Sequence, residues 1–276
     1  MSHKSRKSGF SLTEVLLAVA TLAVAMLFIA GVFPVGIRFT QICEERTIAA
    51  IIADEAFAKL RLYALGDPNE SIDPIDLDEL EDGELKPENI DDLELILPVM
   101  AIEDPNFLYP AEFVYPSTAD DIAGKQYCWW AMFRRIDKKK DDIYRSVQVT
   151  IFVCRKSNGN MKYRTTDGSN DVDWPIPVAV GVSQGSEDNQ LEIESGKYGY
   201  INDGYTIVDD ATGRIYRVME RFKDDYENTI LLDRDWDDKD WQGGDNSLPG
   251  TVWVVPPGNG GSRGPCIAVY QKVMTF

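Results

Sequence analysis

No residue between Val15 and Ile37 carries a charge, and this run lies directly behind a basic leader containing Lys4, Arg6 and Lys7. About 20 apolar residues suffice to cross a bilayer as a helix. The leader cations hold the N-terminus on the cytoplasmic side while the apolar run enters the membrane. A secretory signal places its small-residue cleavage site after the apolar core. Here the small residue, Gly9, stands before it, so a cut after Gly9 leaves the membrane segment on the mature chain. Phe10 then becomes the first residue and Glu14 the fifth.

The stretch Ser8-Gly9-Phe10-Ser11-Leu12-Thr13-Glu14, followed by a spanning-length helix, resembles the N-terminal cleavage and methylation motif of type IV pilins and type II secretion pseudopilins. The wording Phe10-Ser11-Leu12-Thr13-Glu14-Val15-Leu16-Leu17-Ala18 is similar to the minor subunits of that family. The resemblance covers residues 4–65. It implies that a prepilin peptidase cuts after Gly9 and methylates Phe10, and that Glu14 is the assembly carboxylate. A carboxylate at the top of an apolar helix is costly in lipid unless it finds a partner. The N-terminal ammonium of a neighbouring subunit would supply one. The alternative is that Gly9 to Glu14 merely flanks an ordinary signal anchor.

The apolar run passes into an amphipathic segment in which Ile48, Ile51, Ile52, Ala56, Leu60 and Tyr63 recur at spacings of three and four. Wholly helical, residues 10–65 would make a rod about 84 Å long at about 1.5 Å per residue. Gly31, Pro34 and Gly36 predict a kink or an unwound stretch over 30–36, because proline removes an intrahelical bond. Gly66-Asp67-Pro68 reads as the stop signal.

Between Asp67 and Glu94 thirteen acids face a single base, Lys86, with prolines at 68, 74 and 87. Interspersed leucines and isoleucines predict a surface arm with short helical turns, read as a solvated acidic stretch or, alternatively, as a surface for a cation or partner. Beyond it the period becomes two. Segments 126–136 and 143–156, joined by the polar turn 137–142, predict an antiparallel hairpin with one buried face. Further strands are expected near 205–209, 214–222, 228–232, 251–255 and 266–274, and the Gly/Pro-rich 243–265 reads as a loop around one of them. The expected fold class is α+β: a long helix, half transmembrane and half amphipathic, packed on an antiparallel β-sheet head, as the pilin resemblance also implies. The expected organisation is a leader at 1–9, the helix at 10–65, an acidic linker arm at 66–125 and a β-rich head at 126–276.

The formal charge of −18 argues against direct nucleic-acid binding, which needs a cationic footprint. His3, the only histidine, lies in the leader. A chain matured after Gly9 therefore offers no histidine for nucleophilic catalysis or metal ligation. No GxSxG, SxxK, Walker or GxGxxG stretch stands in its required context, so no enzymatic role and no cofactor are expected.

Three other features carry chemistry. Asp233, Asp235 and Asp237 have the opening spacing of a calcium loop. The EF-hand pattern then fails, with Asp238 where the turn wants glycine and Gly244 where it wants glutamate, leaving a solvated acidic turn as the alternative. Cys128 and Cys154 are near-symmetric about the turn 137–142 and share parity, so they could pair as a cross-strand disulfide; each could equally be a small buried hydrophobe. Trp129, Trp130, Trp174, Trp236, Trp241 and Trp253 could form a sugar or peptide platform, although tryptophan also fills small β cores.

The functional expectation is a non-enzymatic minor pilin or pseudopilin. It would be held as a single-pass inner-membrane protein with its head in the periplasm, then packed into a pilus or pseudopilus filament. Its partners would be prepilin peptidase, other pilin or pseudopilin subunits and an inner-membrane assembly platform. The alternative is a membrane-anchored envelope binding module or adhesin whose β head binds sugar or protein.

Overall fold

With no charge to solvate and only one proline in its length, the apolar run continues unbroken into the amphipathic segment as one helix, α1 (Leu12–Leu62). The computed structural model describes residues 11–62, 114–116, 125–135, 146–157, 160–165, 168, 172–221, 228–236, 250–259 and 264–275. The predicted unwinding over 30–36 does not occur: Pro34 sits inside continuous helix. The expected stop at 66–68 and the acidic arm through Glu94 lie outside the described residues. Two compact units result, Met1–Ile48 and Ala49–Phe276.

In the first unit the apolar side chains of α1, from Leu12 through Phe39, are exposed. This helix is long and apolar enough to cross a membrane, and none of its most apolar window is buried.

In the second unit the helix buries Ala49, Ile52, Ala53, Ala56, Phe57 and Leu60, a single stripe at spacings of three and four. Ile51, expected on that stripe, is exposed. The alanines carry the stripe instead, since small side chains let a helix axis lie close to a sheet.

Among the described residues ten strands follow: β1 (Val114–Tyr115), β2 (Tyr127–Arg135), β3 (Ser146–Arg155), β4 (Val178–Gln184), β5 (Gln190–Ile193), β6 (Thr206–Asp209), β7 (Ile215–Arg221), β8 (Thr229–Leu232), β9 (Gly250–Val254) and β10 (Cys266–Thr275). They do not form the single pilin-like sheet that was expected. Four make an antiparallel sheet in the order β1-β2-β3-β10, and six close into an antiparallel barrel in the order β4-β5-β8-β7-β6-β9. The α+β class stands, with a different head. β1 falls inside the stretch assigned to the acidic linker arm, where it pairs with β2.

The β2–β3 hairpin forms in the expected register, but both faces of its sheet are covered. Val149, Ile151 and Val153 lie on one face, and Phe152 and Cys154 on the other, all fully buried. A run such as Ile151-Phe152-Val153-Cys154 is what a doubly buried strand requires. Lys272 of β10, opposite Val149, places its ammonium 5.7 Å from the Phe57 ring, so the odd-numbered face of β3 looks toward α1. The other face contributes Cys128, Trp130, Met132, Phe152 and Cys154 to the same apolar cluster as the barrel residues Val180, Leu191, Ile207, Tyr216, Ile230 and Val252. Polar ties cross this junction as well. Trp130 Nε1 donates to Pro175 O, Arg134 Nη1 to Thr212 O at 2.6 Å, and Gln271 Nε2 to Gly213 O.

Barrel closure leaves its strands without free edges. The β6–β7 turn depends on Gly213, whose φ of 68° favours glycine. Its N–H donates to Asp209 O at 2.9 Å, while buried Asp209 accepts on Oδ2 from Thr212 N at 2.7 Å.

Candidate functional site

The first candidate site is the start of α1. Ser11 O accepts from Glu14 N at 3.0 Å and from Val15 N at 3.2 Å, so Ser11 opens the helix and Glu14 falls in its first turn. An acid there is favoured by the unsatisfied N–H groups of the helix terminus. Glu14 is exposed, and no other charge follows until Arg38. Hydroxyls along the helix bond back to its own carbonyls: Thr21 Oγ1 to Ala18 O at 2.9 Å and Thr40 Oγ1 to Gly36 O at 3.0 Å. Such internal satisfaction suits a segment without access to water. Gly9 and Phe10, the expected processing residues, lie outside the described residues.

The second candidate is the acidic loop after β8. Asp233 Oδ1 accepts from Arg217 N at 3.0 Å and lies 3.7 Å from Arg234 Nε, while Asp237 lies outside the described residues. Among the described residues no group of three His, Cys, Asp or Glu side chains is arranged to hold a metal ion.

Among the described residues each tryptophan packs in or against an apolar core, and none stands in an exposed platform. Trp129, Trp130 and Trp236 are buried, and Trp236 stacks on Tyr216 with ring centroids 4.7 Å apart. Trp253 Nε1 donates to Asp210 Oδ1 at 2.7 Å, and the Lys156 ammonium lies 4.9 Å from the Trp174 ring. Trp241 lies outside the described residues. The described indoles serve the core and its rim, and the N–H groups of Trp130 and Trp253 donate to oxygens there.

Three of the four cysteines gather on adjacent strands. Cys128 of β2 stands directly opposite Cys154 of β3, as the sequence parity anticipates, and Cys154 in turn stands opposite Cys266 of β10. All are thiols. Cys128 Sγ lies 3.9 Å from Pro175 O, and Cys266 Sγ 3.7 Å from Ala268 O. Burial pushes the Cys154 thiol well above the ordinary value of 9.0, and hydrogen bonding with Cys128 and Cys266 raises it further. Cys266 was not anticipated as a member of this group. A bulge between Cys266 and Ala268 shifts its parity, and no counting along the strand reveals that.

Comparison of the chain with protein-family models, with curated proteins and with solved structures finds no match in any of the three.

Proposed function

We propose that this chain is a non-enzymatic minor pilin or pseudopilin, a structural subunit drawn from the inner membrane into a filament. The observation that carries the reading is the unbroken α1, apolar and exposed through its first half, with Glu14 in its first turn directly behind Gly9-Phe10. Prepilin peptidase removes residues 1–9 and methylates Phe10. The cationic leader that pinned the chain across the bilayer is then gone, and the helix can be withdrawn. Glu14 pairs with the Phe10 ammonium of a neighbouring subunit and so sets the register between adjacent helices. The assembly platform supplies the movement. The β-rich second unit, held in the periplasm, determines which subunits stack beside it.

Intact-mass analysis of the membrane-extracted protein tests this reading. A chain beginning at N-methylated Phe10 supports it. An uncut leader, in a strain with a functional prepilin peptidase, refutes it.

The closed six-stranded barrel favours a second reading, in which the anchored chain is an envelope binding module or adhesin. A barrel with no free edges presents its turns and outer face to a sugar or protein partner without risk of strand addition. In this reading the leader stays on the chain.

A further inference from the structure

Three cysteines form one row across β2, β3 and β10 at one end of the four-stranded sheet, and the hydrogen-bond ladder shows that the two neighbouring pairs differ. Lys156 N donates to Gln126 O at 2.7 Å, which makes 126/156 a hydrogen-bonded pair and, two residues along, Cys128/Cys154 another. Arg155 N donates to Pro265 O at 2.8 Å, so the adjoining Cys154/Cys266 pair is of the non-hydrogen-bonded kind. Antiparallel pairs of these two kinds hold their Cα atoms about 5.5 and about 4.5 Å apart. Disulfides span Cα separations of about 4.4–6.8 Å. Cys154 therefore has two partners within bonding reach. Cys128 and Cys266 are separated by two strand spacings, about 9.6 Å, and cannot bond each other.

Position along β10 and burial give the row a direction. On β10, Val269 packs against the barrel cluster and Gln271 bonds to the β6–β7 turn, so strict alternation would turn Cys266 away from them. The bulge reverses that parity and brings Cys266 to the side shared by Cys128 and Cys154. Cys128 is 1% exposed and Cys154 0%, whereas Cys266 is partly exposed.

We propose that Cys266, Cys154 and Cys128 are a thiol relay, in which an external disulfide reacts first at Cys266 and the oxidation is passed inward through Cys154. The Cys266 thiolate attacks the external disulfide, forming a mixed disulfide and releasing one external thiol. Cys154 gives up its proton and attacks the Cys266 sulfur, forming Cys154–Cys266 and releasing the second external thiol. Two protein thiols are thus oxidised and one external disulfide is reduced. Cys128 then attacks the Cys154 sulfur, forming Cys128–Cys154 and returning Cys266 to a thiol with no further change in oxidation state. The high proton affinity of buried Cys154 suits a sulfur that reacts only with a neighbour already activated. In the first oxidised state the C-terminal strand is stapled to β3; in the second it is released and β2 is stapled instead.

The test uses the full chain in detergent with Cys43→Ser, which removes the exposed thiol of α1. The reduced protein is treated with oxidised glutathione, quenched with acid at intervals, alkylated and mapped without reduction. Cys154–Cys266 should precede Cys128–Cys154, and no Cys128–Cys266 link should form. Cys154→Ser should trap glutathione on Cys266 while Cys128 stays a thiol. Cys266→Ser should slow formation of the Cys128–Cys154 link by about tenfold or more, because both remaining thiols are buried. A Cys128–Cys266 link, glutathione arriving first at Cys128 or Cys154, an unslowed Cys266→Ser, or a protein that keeps all three thiols would each overturn the relay. The order of links in the otherwise native chain decides the matter even if a serine variant fails to fold.

Discussion

Phe152 sits in the middle of β3 with no exposed surface, and its ring belongs to the cluster that runs from the sheet into the barrel. Phe152→Ala deletes the ring and leaves a void that neither the sheet nor a closed barrel can collapse to fill. Truncations of this kind cost about 3–5 kcal/mol, from lost transfer energy and the residual cavity together. At about 2–4 °C per kcal/mol for a unit of this size, the melting temperature should fall by about 6–20 °C. The informative readout is where the loss is felt. If sheet and barrel share one core, the slowest-exchanging amides of both should lose protection by the same free energy. Hydrogen exchange read by mass spectrometry on the full chain in detergent, comparing peptides from β3 and β10 with peptides from β5 and β8, measures this directly. Barrel peptides that keep wild-type protection while the sheet loses its own would refute a shared core, as would a total cost below about 1 kcal/mol.

Gly9→Trp should block maturation, visible as a retained leader by mass; normal processing of that variant beside the cognate peptidase would remove the pilin reading. Glu14→Ala should leave insertion and cleavage intact yet reduce incorporation into filaments, measured by pull-down, because an apolar replacement costs nothing in lipid while deleting the proposed partner of a neighbouring subunit's Phe10 ammonium. Gly213→Ala, at φ 68°, should lower stability by about 1 kcal/mol in urea unfolding, and an unchanged midpoint would show that the β6–β7 turn tolerates a side chain. Burial pushes up the Cys154 thiol and the Tyr163 and Tyr205 hydroxyls. All three are protonated in folded and unfolded chains below the ordinary thiol value of 9.0, so stability is intact there. Above it the unfolded chain ionises first. The reduced protein should therefore lose stability as pH rises from about 9 through the raised folded values, and a flat unfolding midpoint between about pH 8 and 11 would contradict that sign.

The parts of the fold legible in the sequence were those set by local period. The β2–β3 register followed from the symmetric placement of the polar turn, and it put Cys128 opposite Cys154 without any tertiary information. β4 was legible and missed: Val178, Val180 and Val182 alternate cleanly with small residues and bury every second side chain. β5, Gln190–Ile193, offers only two separated apolar residues, whereas the equally short β6 and β8 carry adjacent ones. Barrel closure was not legible, because pairing of β9 with both β4 and β6 is a long-range choice that no local pattern encodes. The second covered face of the sheet was hinted at only by the continuous apolar run in β3. Of the candidate site, Glu14 could be placed from its distance to the apolar run, while Cys266 depended on a bulge that appears only once β10 has paired.

β10 is the antiparallel neighbour of β3, and the two strands meet where Arg155 N reaches Pro265 O. In a minimal protein those two strands would be joined by a hairpin turn. Here the connection is the entire barrel, so the barrel is an insertion whose two ends enter and leave the sheet side by side. Insertions with adjoining ends are the kind a host fold tolerates, since they stretch none of its pairings. Replacing residues 157–264 with a short turn would leave α1 and the β1-β2-β3-β10 sheet connected in the same order. The bare sheet would then present Trp130, Met132 and Phe152 to water, an apolar surface that only a new partner or polar substitution could cover. The barrel thus serves as a built-in lid for one face of the sheet, and its outer surface is free to diverge without disturbing the helix-bearing half.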